Sequence, residues 1–432
     1  MHKAIIVVVD KVEEIKGADN IQVAYVLGEA VIVSKDTCVG SEGVYFPEGL
    51  CLSQEYGYNN SIYRHSNLNK DTNSKGFFED NLRVKAQKFM KVNSEGYFAP
   101  IQSLAFTGAN LSKLKVGDQL DTLNKVVICK KWINPKTKAQ GVAGNKRKTK
   151  LSTPIFHQHI DTEQFKYHID KIPVGATLSF HHKLHGTSAR YSHTLVERPV
   201  KGIKGWLSDI LGNTIFSPTK AYEYVAGTRR VVLQQEHRLK VGYNGPEEWR
   251  FHWLDKLTPY LNKGVTVYGE IVGWANGSLI MGTHFTAPLK DKKYTKKYGE
   301  TVNYKYGCPH GEDRLIVYRV SYTTAGGDEI DLSVDQLTHW CKSRGFEHTL
   351  EVAPRIVYDG NAEVLLEVVT ALTEHPEVLT EDYTSPSQIC EGIVIRVDHQ
   401  GVIPKFYKNK SMSFRIMEGI YKEDNIDMED AS

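Results

Sequence analysis

The sequence predicts an α+β protein of two domains, a β-rich N-terminal part followed by a part in which strands and helices mix. Three observations carry this. At 432 residues the chain is longer than one ordinary core accommodates. Residues 1 to 130 hold short β-branched runs broken by glycines. From residue 155 onward helical and strand-like periods alternate, and a polar stretch separates the two parts.

In the first part the strand candidates are 4–9, 23–27, 30–33 and 43–46, punctuated at Gly28, Gly40 and Gly43, then 82–86, 97–100 and 126–130. Many short strands with frequent turn signals predict a small all-β barrel or sandwich, here bounded as residues 1–134. The Asn-, Tyr- and Ser-rich stretch 54–75 is expected to be a long loop. Residues 135–154 are polar, basic and nearly free of large apolar side chains, which marks a linker. Lys146, Arg147, Lys148 and Lys150 cluster there, and a second cluster comprises Lys290, Lys292, Lys293, Lys296 and Lys297. Such patches fit an acidic polymer, and solvated loops have the same composition.

The second domain is expected over 155–420, with an acidic tail at 421–432. Helices are expected at 162–171, 221–225 and 247–262. Two more follow at 334–344, with Val334, Leu337 and Cys341 on one stripe, and at 362–373. In the last, Val364, Val368 and Leu372 have plainly helical spacing, with Leu365 beside them. Strands are expected at 177–181, 265–272, 315–320, 392–397 and 402–407. The composition, 41% apolar and 24% charged, is that of a globular chain rather than a disordered one. No run approaches the roughly 18 apolar residues of a membrane span. The opening residues Met1 to Asp10 read as a first strand rather than a signal peptide. Six scattered cysteines without paired spacing predict reduced thiols and a cytoplasmic setting.

Chemistry concentrates in four strings. Thr177-Leu-Ser-Phe-His-His-Lys183-Leu-His185-Gly186 puts a lysine just after a strand and a glycine three residues later. A free lysine amine is a good nucleophile, and glycine lets a phosphate approach the backbone. Lys-x-x-Gly alone occurs in many surface loops. Val265-Thr-Val-Tyr-Gly269-Glu270 ends a strand in an acid, and Glu391-Gly-Ile-Val-Ile-Arg396 begins a strand with one. Lys408 and Lys410, two apart, share a face if their strand persists. Acids that hold a divalent metal and lysines that offset phosphate charge suit phosphoryl transfer to or from a lysine. By contrast, Cys308, His310 and His284 lack the second ligand pair of a zinc site, and a zinc role for His181, His182 and His185 is not expected.

These strings, in this order, resemble the motifs of the covalent nucleotidyltransferase superfamily of DNA ligases, RNA ligases and capping enzymes. Lys183-Leu-His-Gly is similar to the first motif, Gly269-Glu270 to the third, Glu391-Gly to the fourth and Lys408-x-Lys410 to the fifth. Gly227 to Leu233 is similar to the arginine-bearing motif, and Leu315 to Val320 to the aromatic one. Within the superfamily, His185 in the place of the aspartate usual in DNA ligases, and Lys408…Ser411…Phe414, resemble ATP-dependent RNA ligases. The stretch from Asp10 to Leu50 looks like the OB-type domain that precedes the transferase domain in one RNA ligase family. The likeness covers roughly 1–130 and 155–415. His182, where RNA ligases often carry an acid, departs from it and leaves the choice between ATP and GTP open.

The resemblance implies a fold, an N-terminal OB-like barrel followed by a transferase domain of antiparallel sheets and helices. It also implies a function: joining a 3′-hydroxyl to a 5′-phosphate of RNA through lysine–AMP and AMP-capped intermediates, with ATP and Mg2+ or Mn2+. Lys183, Lys408 and Lys410 would be catalytic. His185, Gly186, Arg229, Glu270, Tyr318, Lys408 and Lys410 would hold the nucleotide. Arg190 and Arg229 would touch the RNA end. Glu391 and Glu270 would serve the metal, Glu270 alternatively a ribose hydroxyl. The implied partner is an RNA end in a nicked duplex or RNA/DNA hybrid, with no membrane and no protein partner inferred. A capping-type guanylyltransferase, or a nucleic-acid binder with an inactive transferase domain, are the alternatives. The segment 282–312 looks like an insertion, either a substrate-gripping hairpin or a solvated loop.

Overall fold

The computed structural model describes residues 3–89, 92–133, 152–198, 219–235, 238–239, 241–242, 244–289, 291–374, 388–399 and 403–424. Most of the expected linker with its basic cluster, Lys290, and the acidic tail beyond residue 424 lie outside them. The fold is mixed α+β, dominated by antiparallel sheets with few helices. Among the described residues no helix is long and apolar enough to cross a membrane.

Two compact units divide the chain: Met1–Lys138 with Met412–Asp427, and Ala139–Ser411. In the first, Gln119–Leu120, Ala4–Val8, Glu42–Pro47 and Gly96–Pro100 form one antiparallel sheet in that order, and Lys11–Glu14, Ile21–Val26 and Glu29–Ser34 a separate meander. Alternating residues such as Ile6, Val44 and Phe46 feed its core. The expected strands appear, except that 82–86 makes only an isolated bridge at Arg83. A closed ring of strands is not found among the described residues. The expected loop 54–75 begins with a helix, Gln54–Asn59, because the Ser53 side chain caps it and Tyr56 is buried.

The helix Met412–Asp424 belongs to this first unit, whereas the sequence placed residues up to 420 with the second domain. Side chains explain the difference. Phe414 and Met417 are buried, and Arg415 meets three carboxylates of the first unit. Its Nη1 lies 2.9 Å from Glu29 Oε2 and 3.0 Å from Glu95 Oε2, and its Nε 2.7 Å from Glu48 Oε1.

Among the described residues the second unit has two large sheets, besides two-stranded ones. The first orders Glu163–Gln164, Lys405–Lys410, Gly392–Asp398, Thr177–His182 and Glu351–Val357. The helix Ala362–Glu374 contributes to its core, where Leu178, Phe180, Ile393 and Ile395 meet Leu365 and Val369. Of the expected stripe, Leu365 is buried and Val368 and Leu372 pack against this core, while Val364 is 51% exposed and Val369 takes a buried place. A period of 3.6 residues allows either neighbouring position, and the sheet selects among them. The second sheet runs Val232–Leu233, Thr219–Gly227, Thr187–Arg198, Val265–Ala275, Asp313–Thr323 and Glu329–Asp331. Residues 221–225, expected as helix, lie in its strand Thr219–Gly227, which makes nine consecutive pairs with Thr187–Arg198. Residues 162–171 likewise form a short strand and two 3-10 turns, because Glu163 and Gln164 pair with Tyr407 and Lys408 while Phe165 enters the core. The helix Val334–Lys342 forms as expected. It opens with a capping box in which Ser333 and Gln336 each accept the other's backbone N–H.

Candidate active site

The chain passes from the first sheet to the second through one short turn, Lys183-Leu-His-Gly186. Thr177–His182 is held between two neighbours, and its end pairs His182 with Ile393. Lys183 N then donates to Gly392 O at 2.9 Å. Main-chain bonds therefore fix the lysine beside the start of the Gly392–Asp398 strand.

Glu391 precedes that strand and is 0% exposed. Its Oε1 lies 2.7 Å from Lys183 Nζ and 3.6 Å from Lys410 Nζ, and its Oε2 lies 3.8 Å from His185 Nδ1. Lys410 arrives because it pairs with Gly392, while Lys408, on the same face, pairs with Val394. The main chain at Glu391 is clamped by Ser411, whose N donates to Glu391 O at 2.9 Å and whose Oγ donates to Cys390 O at 2.7 Å. Among the described residues neither carboxylate oxygen accepts a well-aligned hydrogen bond. The two lysines offset the charge of this buried carboxylate, and its oxygens also suit a divalent ion. Among the described residues no three His, Cys, Asp or Glu side chains gather to hold a metal by themselves. A cation here would take its remaining ligands from substrate oxygens and water, as Mg2+ commonly does.

Glu270 lies on the other side of the turn. It pairs with Ser188 across the second sheet; its Oε1 accepts from Gly186 N at 3.2 Å and its Oε2 from Ser188 Oγ at 3.1 Å. Gly186 is required by space. A Cβ there would stand 2.4 Å from Ile271 O and 2.9 Å from Val272 Cγ1.

Tyr318 sits at a β-bulge. Tyr268 pairs with Arg319 and Gly269 with Val317, so Tyr318 is the extra residue and its ring is re-aimed. Its hydroxyl bonds His159 Nδ1 at 2.8 Å, and the two rings meet edge to face at 82°. Burial, and then the Glu270 carboxylate, hold the phenol pKa well above its ordinary value. His159 is pushed down to about 3 by burial and then by the Arg229 guanidinium. Arg229 Nη2 donates to Asp161 Oδ1 at 2.6 Å.

Arg190 is not on the surface of the site. It is 2% exposed, and its guanidinium donates to the carbonyls of Thr228, Phe156 and His157 at 2.9, 3.1 and 2.6 Å. Burial lowers its pKa to about 10. The guanidinium, expected from sequence to touch an RNA end, is turned inward as a strut that fastens segment 156–157 to the sheet.

That segment and its continuation carry no recognised motif, so the sequence alone did not bring them to the site. His157, His159 and Asp161 alternate along it, and that alternation of polar residues was the available signal. Segment 282–312 was open between hairpin and loop. There Thr283–Phe285 pairs with Thr301–Asn303, and Val302, Tyr304, Tyr306 and Cys308 are buried. The Tyr304 ring stands edge-on to the His185 ring at 4.7 Å. This part of the segment is core beneath the turn, not a solvated loop.

A family model described as RNA ligase matches residues 177–410. No curated protein matches the sequence. Among solved structures, an aspartate-to-alanine mutant of a Naegleria gruberi RNA ligase, apo, is similar with a TM-score of 0.57. It is 15% identical, over 96% of this chain and 98% of that one. A lysine-to-methionine mutant of that ligase with AMP and Mn gives 0.57 and 15%, over 95% and 97%. A lysine-to-alanine mutant with ATP and Mn gives 0.56 and 15%, over 95% and 98%.

Proposed function

The chain belongs to the RNA ligase family, whose model spans more than half of it, and from that premise we propose an ATP-dependent enzyme that seals a 3′-hydroxyl to a 5′-phosphate in RNA. The observation that carries the reading is Lys183 facing the fully buried Glu391 at 2.7 Å, with Lys410 against the same carboxylate.

In the first step the Lys183 amine attacks the α-phosphorus of ATP. An N–P bond forms, the bond to pyrophosphate breaks, and the lysine proton leaves to solvent. An oxygen of the RNA 5′-phosphate then attacks that phosphorus and Lys183 departs, leaving an AMP-capped end. Finally the 3′-hydroxyl attacks the capped phosphate and AMP is expelled. Such transfers depend on in-line positioning and charge neutralisation.

The chain's own groups divide the work. The base stacks on Tyr318, which the bulge leaves out of the regular pairing. Glu270, already taking the Gly186 N–H, receives the ribose hydroxyl, and His185 and Gly186 keep the turn against the nucleotide. Arg229 contacts the ribose or the acceptor end once released from Asp161. Lys408 and Lys410 lie along the phosphates. Mg2+ or Mn2+, held by Glu391 with Glu270 nearby, would offset charge on the phosphate oxygens. The first unit is read as an OB-type module that engages the RNA, and a nicked duplex or RNA/DNA hybrid as the substrate. Incubating the protein with ATP, Mg2+ or Mn2+ and a nicked RNA duplex tests the proposal. A joined strand is expected, and no joining with either metal, in ATP or GTP, would overturn it.

A further inference from the structure

Tyr306 belongs to none of the six motif-like strings, yet it ties the first of them to the residues leading into the Glu391 string. It is 1% exposed and its φ is +51°. A bulky aromatic rarely enters that region, and it persists there only where its neighbours over-determine it. Neighbours do. Tyr306 N donates to Gln388 Oε1 at 3.2 Å, and its carbonyl accepts from Arg314 Nη1 at 3.0 Å. Its hydroxyl accepts from His185 N at 2.7 Å.

His185 is two residues after Lys183, and Gln388 is three before Glu391. One strained residue therefore spans the turn that carries the lysine and the approach to the carboxylate facing it. Burial, and then the Glu391 charge, keep the phenol pKa well above its ordinary value, so the group stays a hydroxyl.

We propose that Tyr306 is a positioning residue for the first chemical step: its hydroxyl holds the His185 main chain, and thereby the Lys183 amine, in register with Glu391. It touches no reacting atom. The inference rests on the ligase reading above and assigns part of segment 282–312 a role in that reaction.

Nucleophile register matters when Lys183 attacks ATP. It matters far less when the protein seals RNA that already carries AMP on its 5′-phosphate, because Lys183 then attacks nothing. Misplacing a nucleophile by about 1 Å costs on the order of 100-fold in rate. Tyr306→Phe removes only the hydroxyl. Lysine–AMP formation should slow by about 10- to 100-fold in kcat, with KM for ATP within about 3-fold. Sealing of pre-adenylylated RNA should stay within about 3-fold of the parent on the same grounds. Gln388→Ala, which frees the Tyr306 main chain instead, should show the same split with a smaller loss. Equal loss in both steps, a change confined to KM, or no loss in either variant would overturn the inference. If the unaltered protein forms no lysine–AMP at all, the ligase reading itself fails, and that outcome is visible before any variant is made.

Discussion

Gly186→Ala probes how closely the turn between the two sheets is packed. The added Cβ would lie 2.4 Å from Ile271 O, 2.9 Å from Val272 Cγ1 and 3.0 Å from Glu270 Cγ. The carbonyl cannot retreat, because Val265–Ala275 is paired on both sides, with Thr187–Arg198 and Asp313–Thr323. The turn must move instead, by roughly 0.6 Å merely to reach the shortest contact that real Cβ atoms make. That shift also strains the 3.2 Å bond from Gly186 N to Glu270 Oε1 and carries Lys183 with it. Displacements of this size cost about 10- to 100-fold when they misalign a nucleophile, and overpacking costs about 1–3 kcal/mol of stability. Single-turnover formation of lysine–AMP from labelled ATP, measured beside the unfolding free energy, reads both effects. Parental adenylylation by a folded Gly186→Ala protein would refute the claim that this turn sets the geometry of attack.

Three further outcomes are expected. Arg415→Met leaves Glu29, Glu48 and Glu95 facing one another without the guanidinium, so the first unit should lose about 3–5 kcal/mol in urea unfolding, and a loss under about 1 kcal/mol would contradict the anchoring of the last helix. His181, His182 and His284 are each lowered from 6.5 to about 4, chiefly by burial, and for His284 the nearby His185 adds to that effect. Between those pH values the folded protein binds fewer protons than the unfolded chain, so their contribution to stability is full above pH 6.5 and is lost as pH falls towards 4. All three act in the same direction, and unfolding free energies that stay level from pH 7 to 5 would contradict the burial of all three. A site built to bond a hydroxyl rejects the analogue lacking it by several orders of magnitude, so deoxyribose at the terminal 3′-hydroxyl nucleotide should seal far more slowly than ribose. Equal rates on matched nicked duplexes would remove the ribose requirement.

The core of the site was legible because its residues sit at strand ends that the sequence marks by pattern. Lys183, Glu391 and Lys410 meet since Thr177–His182, Gly392–Asp398 and Lys405–Lys410 are neighbours in one sheet, and each string has the β-branched or alternating residues of a strand. Helix Val334–Lys342 was equally plain, because its cap and its stripe are local. What escaped depends on partners distant in sequence. Tyr306 acquires its place from His185 and Gln388, 121 and 82 residues away. Arg190 looks like a surface cation until the carbonyls of 156, 157 and 228 enclose it. Residues 221–225 have no strong local preference and become strand only through Thr187–Arg198. Arg415 is one more charged residue in a helix until three glutamates, each more than 300 residues away, surround it.

Everything in the mechanism depends on which atom takes up the nucleotide. The protein, incubated with ATP labelled at the α-phosphate and with Mg2+ or Mn2+, should retain label through denaturation, and peptide mapping by mass spectrometry should find AMP on Lys183. Lys183→Ala should then carry none. Label on another residue of the unaltered protein, or undiminished label in Lys183→Ala, would contradict the account.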